Sequence, residues 1–138
     1  MVYNHVFLDS DIILDMFFDR YPFSDYTKLL LIECKARNIK LSTSAIVIAN
    51  LNYILSKKLG KTDTREKLKE LMKWLTILSV ESMVIEKGLN SDFSDLEDAF
   101  QYFTAKRFKC EAIITRNIKD YKHATLPVLS AEQFLRSI

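Results

Sequence analysis

The sequence predicts an α/β fold, a three-layer α/β/α sandwich built on a central parallel sheet of about five strands. Short apolar runs alternate along the chain with longer segments in which apolar residues recur at helical spacing. One or two helices separate successive strands, which requires crossover connections and therefore a parallel sheet. The 138 residues include only two glycines and two prolines, and no repeat or linker divides them, so we expect one domain over 1–138.

The first half of the chain should supply two strands and four helices. In order they are strand 6–8, a short helix from about 12, helix 26–37, strand 39–41, a long helix after residues 42–44, and a helix that reaches Trp74 and beyond. Serine and threonine hydroxyls at 42–44 are good caps, and Gly60 suits the end of the long helix. Asp63 and Glu66 predict a capping-box start for the next helix.

The second half begins with strand 77–80 and a short helix over 83–89, followed by the most acidic stretch of the chain, 90–98. Ser94 and Glu97 match a capping box, which assigns Glu97 to capping and starts a helix near Asp95 that runs to about Arg107. Asp95 and Asp98 should then share one face of that helix. The last expected elements are strand 112–114, strand 128–129 and a helix from Ser130, whose capping partner is Gln133.

Composition narrows the class of protein. The formal charge of +2 neither supports nor excludes nucleic acid, because a local basic face can occur on a nearly neutral protein. Cys34 and Cys110 are far apart and belong to no paired-cysteine motif, which favours buried thiols in a reducing compartment. No apolar segment approaches the roughly 18 residues that a membrane span needs. We therefore predict a cytoplasmic protein without membrane contact.

Carboxylates collect where the predicted strands end. Asp9 ends the first strand, Asn117 and Asp120 follow the fourth, and the helix that begins at Asp95 leads into the fourth strand. Ligands bind beyond the carboxyl ends of strands in open α/β sheets, so these groups should meet in one depression. Several unpaired carboxylates repel one another unless a cation joins them. An oxygen-only set suits Mg²⁺ or Mn²⁺ rather than zinc.

Three motifs together resemble the PIN-domain family, in particular VapC-like proteins. They span 6–15, 95–99 and 113–121, and the similarity extends over essentially the whole chain. The resemblance implies a metal-dependent ribonuclease and the toxin of a toxin–antitoxin pair, with an antitoxin and a second copy of the chain as further partners. It places catalytic roles on Asp9, Asp95, Asp98, Asn117 and Asp120. It gives the metal to Asp9, Asp98 and Asp95, and leaves open whether one or two ions bind.

Other residues should support this site. Thr115, Arg116 and Lys119 follow the fourth strand and could hold RNA, although a hydroxyl in Thr115's position is more often a turn residue. The chain departs from the family at Asn50, where the family usually has glutamate, and at Asn117, where many members have aspartate. An amide binds a hard cation more weakly than a carboxylate. We expect Asn50 and Ser10 to act beside the metal ligands.

Two other functions fit the same residues. A PIN-like domain with a degraded metal site could bind RNA or protein without cleaving it, and the two asparagines motivate that alternative. Asp9 and Asp11 after an apolar strand also match the start of haloacid-dehalogenase-type phosphatases, in which Asp9 would be the nucleophile. That class needs a second aspartate loop after a later strand, whereas Asp95 and Asp98 precede theirs. Asp11 is more simply a residue of the first helical turn.

Overall fold

The computed structural model describes residues 2–138 and contains one parallel sheet of five strands in the order β3-β2-β1-β4-β5. The strands are β1 His5–Leu8, β2 Lys40–Ser44, β3 Thr76–Leu78, β4 Ile113–Ile114 and β5 Val128–Leu129. The predicted strand number and direction are confirmed. Because β1 lies between β2 and β4, the residue that follows β1 faces the middle of the sheet's carboxyl edge.

Seven α-helices within residues 2–138 cover the sheet. They are α1 Ser10–Phe17, α2 Phe23–Ala36, α3 Ala45–Leu59, α4 Lys61–Leu71, α5 Ser82–Leu89, α6 Leu96–Arg107 and α7 Ala131–Ser137, and a short 3₁₀ helix lies at Ile118–Tyr121. The β1–β2–β3 connections run in one direction across the sheet and the β3–β4 connection returns in the other. With right-handed crossovers this places α1 to α4 on one face and α5 and α6 on the opposite face, so the three-layer prediction is confirmed.

The core is centred on β1 and β4. Phe7, Leu8, Ile113 and Ile114 are completely buried, as are apolar residues of α1, α3 and α7. Such continuous apolar strands are typical of a sheet covered on both faces. Cys34 and Cys110 are buried and unbridged, as predicted. Over residues 2–138, no helix is both long and apolar enough to span a membrane.

Several predicted boundaries were wrong by a few residues. Strand β2 extends to Ser44, where the sequence suggested an end at residue 41, because the hydroxyls of 42–44 are buried within the sheet. Helices α1 and α2 start earlier than predicted, at Ser10 and Phe23, and α4 ends at Leu71 rather than continuing past Trp74. Polar residues account for two of these differences, inside strand β2 and at the start of α1.

Two predicted caps were also wrong. Helix α4 begins at Lys61 directly after Gly60, without a side-chain cap, and Glu66 pairs with Lys69 rather than closing a box with Asp63. Helix α6 is capped by Asp95, whose Oδ1 accepts hydrogen bonds from the backbone N–H groups of Glu97 and Asp98. Ser94 plays no part in that cap. The predicted caps at Ser44 and Ser130 are confirmed, the latter as a full capping box with Gln133.

Candidate functional site

The candidate site forms where β1 and β4 end side by side. The backbone N–H of Asp9 donates to the carbonyl of Ile114 at 3.0 Å, which carries the β1–β4 pairing one residue past the strand. Thr115, the residue after β4, is therefore held beside Asp9. The turn into α1 begins at the same point, since Asp9 is the N-cap of that helix. One backbone register thus fixes the first two groups of the site.

Asp9 is almost completely buried, with 7% of its surface exposed, and its carboxylate accepts three hydrogen bonds. Oδ1 accepts the backbone N–H of Ser10 at 2.8 Å. Oδ2 accepts the hydroxyls of Thr115 at 3.1 Å and Tyr121 at 3.0 Å. Burial and the charge of Asp11 raise the pKa of Asp9 despite these donors. Ser10 thus supports Asp9 through its backbone, next to the predicted ligand.

Asp11 lies in the first turn of α1, as the sequence predicted, and its side chain also contacts the segment that follows β4. Its Oδ2 accepts the backbone N–H of Arg116 at 3.0 Å, the Thr115 hydroxyl at 3.1 Å and the side-chain amide of Asn117 at 3.2 Å. Burial raises the pKa of Asp11 as well. The sequence held a signal for this contact, because a carboxylate in the first turn of a helix, two residues after the residue that follows a strand, faces the same edge of the sheet as that residue.

Thr115 is a buried bridge between the two carboxylates. Its hydroxyl lies 3.1 Å from both Asp9 Oδ2 and Asp11 Oδ2, and it accepts the backbone N–H of Asn117 at 3.1 Å. A hydroxyl has one proton, so it can donate fully to only one of the two carboxylates at a time. Thr115 therefore has the turn role, through the N–H of Asn117, and its contact with RNA stays a prediction.

Asp98 adds another carboxyl in the first turn of α6. It is half-buried, and burial together with the charges of Asp9 and Asp95 raises its pKa to about 7, with smaller effects from Asp120 and Asp11. Asp98 therefore lies within electrostatic reach of Asp9, Asp95 and Asp120, and the shared metal site stays a prediction. Asp95 is not on a shared helix face with Asp98, because Asp95 is the cap that precedes the helix.

Asn50 reaches the same region from α3. Its side-chain amide donates to Glu97 Oε2 at 2.9 Å, one residue before Asp98. Glu97 is thus bound to α3 and is not part of a cap with Ser94, which corrects the sequence-based assignment. Asn50 is thereby held next to the first turn of α6, and its role beside the metal ligands stays a prediction.

The Arg116 side chain is held by contacts within the protein. Its Nε and Nη2 each lie 2.7 Å from the carboxylate oxygens of Asp15, a completely buried residue of α1 that also contacts Arg20 at 3.3 Å. The guanidinium also stacks over the ring of Phe23, 4.3 Å from its centroid. The prediction that Arg116 holds RNA therefore competes with a structural ion pair. Lys119, by contrast, is exposed next to the site.

The oxygen atoms that the site could offer as ligands suit a hard cation. All of its ligating groups are oxygens, and none of the ion pairs in the described part of the chain involves Asp9, Asp11, Asp95, Asp98 or Asp120. Within residues 2–138, no three His, Cys, Asp or Glu side chains converge into a ready metal cage. Mg²⁺ does not require one, since it keeps several waters and commonly binds through one or two carboxylates.

The chain is similar to known proteins in both sequence and structure. A family model of the PIN domain matches residues 5–119. Ribonuclease VapC1 of Aquifex aeolicus (strain VF5) is 31% identical over 134 residues, which cover 94% of this chain and 92% of that protein. DNA-bound VapBC from Salmonella typhimurium superposes with a TM-score of 0.71 at 11% identity, covering 93% of this chain and 98% of that one. VapBC-1 from nontypeable Haemophilus influenzae has a TM-score of 0.70 at 16% identity, with the same coverage.

Proposed function

Since the chain belongs to the PIN-domain family, we propose that it is a Mg²⁺- or Mn²⁺-dependent endoribonuclease and the toxin of a toxin–antitoxin pair. One observation carries the proposal. Asp98 lies within electrostatic reach of Asp9, Asp95, Asp120 and Asp11, and burial and these charges raise its pKa to about 7. Repulsion among these carboxylates destabilises the folded protein, and a bound divalent cation would relieve it.

Asp9 and Asp98 would hold the cation, with Asp95 in support. When bound, the cation would lower the pKa of a coordinated water and stabilise negative charge that develops on the phosphate. The chain's own groups prepare the site. Three donors fix Asp9, the Asn117 amide and Arg116 N–H fix Asp11, and Asp120 adds negative charge at the rim. We expect the exposed Lys119 to contact the RNA backbone, where its charge complements phosphate.

Cleavage of a mixed RNA substrate in Mn²⁺ tests the activity. The wild type should cleave, and Asp9→Asn should be reduced at least a hundredfold, because the substitution removes the charge of the best-buried ligand. Asp63→Asn is the matched control, since Asp63 is an exposed aspartate in the first turn of α4, outside the carboxylate group. Cleavage that survives Asp9→Asn would attribute the activity to another site or another protein.

Direct binding of Mn²⁺ separates the nuclease from the alternative, a PIN-like domain that binds RNA or protein without cleaving it. The observation that favours the alternative is that both asparagines serve as hydrogen-bond donors to carboxylates, Asn50 to Glu97 and Asn117 to Asp11. A crystal soaked in Mn²⁺ should show an ion between Asp9 and Asp98. No binding at millimolar metal would contradict the nuclease and favour the alternative.

Nothing in the site favours the phosphatase function. A nucleophilic Asp9 would need a nearby lysine, and among the described residues no lysine pairs with Asp9 or Asp11. Asp9 instead caps α1 and accepts three hydrogen bonds. A carboxylate fixed in this way suits a metal ligand better than a nucleophile.

The toxin role has its own test in cells. Induction of the wild-type gene should arrest growth, induction of Asp9→Asn should not, and co-expression of the protein encoded by the adjoining gene should restore growth if it is the antitoxin. We also propose that the chain acts in the cytoplasm as a single PIN-like domain over 1–138 that forms a homodimer. Light scattering on the purified protein measures the dimer directly.

A further inference from the structure

Tyr121 is the residue at this site for which the sequence motifs suggested no role. It ends the 3₁₀ helix, it is 2% exposed, and its hydroxyl donates to Asp9 Oδ2 at 3.0 Å. A buried tyrosine hydroxyl needs a hydrogen-bond partner, but a backbone carbonyl would have satisfied that need. The partner here is instead the most buried carboxylate of the candidate site.

The hydrogen-bond donors around Asp9 fix the orientation of its carboxylate. An ionised carboxylate offers about four lone-pair directions. Ser10, Thr115 and Tyr121 occupy three of them. The Asp9 side chain therefore has a fixed plane and about one direction left for a further ligand. Without the Tyr121 hydroxyl, Oδ2 would keep only the donor that it shares with Asp11.

Packing holds the Tyr121 hydroxyl in place. The Tyr121 ring meets the ring of Phe93 edge to face, with centroids 6.2 Å apart, and Phe93 packs in turn on Tyr102 at 5.3 Å. Phe93 lies in the acidic stretch that leads to Asp95 and Asp98. The same ring that fixes Tyr121 therefore also anchors the segment that brings the other carboxylates to the site.

We propose that Tyr121 is a positioning residue, which, together with Thr115, orients the Asp9 carboxylate toward a divalent cation. The inference rests on the proposed metal-dependent function and extends it to a residue that need not touch the metal. Hydrogen-bond partners of metal ligands typically contribute 10- to 100-fold to metal affinity. A phenylalanine would fill the same space, so only the hydroxyl is at issue.

Isothermal titration with Mn²⁺ on the purified, metal-free full chain tests the proposal. Tyr121→Phe should bind Mn²⁺ about 10-fold more weakly than the wild type. Its kcat for RNA cleavage should fall while KM stays within twofold. The matched control is Tyr102→Phe, because the Tyr102 hydroxyl bonds Thr125 and its ring contacts the same Phe93. Tyr102→Phe should leave Mn²⁺ affinity unchanged.

A second pair of variants covers a failure of Tyr121→Phe to fold. Thr115→Val removes the other hydroxyl on Oδ2 and should weaken Mn²⁺ binding, whereas Thr115→Ser keeps the hydroxyl and should restore it. If the wild type binds Mn²⁺ and Tyr121→Phe binds it equally well, the positioning role is refuted while the nuclease proposal stands. If the wild type binds no Mn²⁺ at millimolar concentration, both proposals are refuted.

Discussion

Replacing Asp98 with asparagine should stabilise the metal-free protein at alkaline pH. In the folded chain, burial and the charges of Asp9 and Asp95 raise the pKa of Asp98 from 3.8 to about 7. Between these values the folded chain holds a proton that the unfolded chain has released. The stability due to this group is therefore fully present below about pH 4 and is lost as the pH rises through about 7.

The size of the effect follows from the pKa and from the exposure of the side chain. A rise from 3.8 to about 7 corresponds to at most about 4 kcal/mol. Because Asp98 is only half-buried, water screens much of this repulsion, and we expect about 1 kcal/mol. The neutral amide of Asp98→Asn avoids that loss, so the variant's melting temperature at pH 8 should exceed the wild type's by about 4 °C.

Thermal unfolding at pH 5 and pH 8 in the presence of a chelator measures the difference. The melting temperatures should differ less at pH 5, where only part of the loss has occurred, than at pH 8. In a separate measurement at pH 8 without chelator, millimolar Mg²⁺ should raise the melting temperature of the wild type more than that of Asp98→Asn. Asp63→Asn serves as the control with a distant, exposed carboxylate. Parallel pH profiles for wild type and Asp98→Asn would refute the electrostatic argument.

Three further predictions concern the scaffold. Asp15→Asn should destabilise the protein by about 3 kcal/mol in urea unfolding, because it leaves the guanidinium of Arg116 without its buried partner; a loss below 1 kcal/mol would contradict this. Ser44→Ala should cost at least about 1 kcal/mol, because it removes the α3 cap and the buried hydrogen bond to Gln101 Oε1. Ser94→Ala should stay within about 0.5 kcal/mol in the same assay, and equal losses would restore the capping role of Ser94. Gly60→Ala should lower stability by about 1 kcal/mol because φ is 82° there, although an added Cβ would meet no atom within 4 Å; an unchanged midpoint would show that the backbone relaxes.

The fold could be predicted because its signals are local. Apolar runs that stop at polar residues marked the strands, and caps such as Ser44 and Ser130 marked helix starts. The predicted cap of α6 was wrong because two adjacent residues could both act as its N-cap. Ser94 and Asp95 are both good N-caps, and in the structure Asp95 takes that position. Glu97 then becomes free to accept from Asn50, a contact across 47 residues.

The sequence suggested which carboxylates could form the site, but it suggested none of the hydrogen bonds that hold them. Asp9 and Asp98 could be placed from strand ends and helix starts. The partners of Asp11 and the hydroxyl of Tyr121 depend on how the segment after β4 folds back over α1, which no periodicity encodes. The Asp15–Arg116 pair was hidden for the same reason, since its members are 101 residues apart.

The position of β1 between β2 and β4 has a consequence for biosynthesis. Asp9 meets Thr115 and Tyr121 only across 106 and 112 residues. A ribosome that has translated the chain through α5 has made the first carboxylate and none of the side chains that hold it. If the chain is the toxin that we propose, a nascent copy carries no assembled hydrolytic centre. Cleavage would then require that β4 has docked on β1.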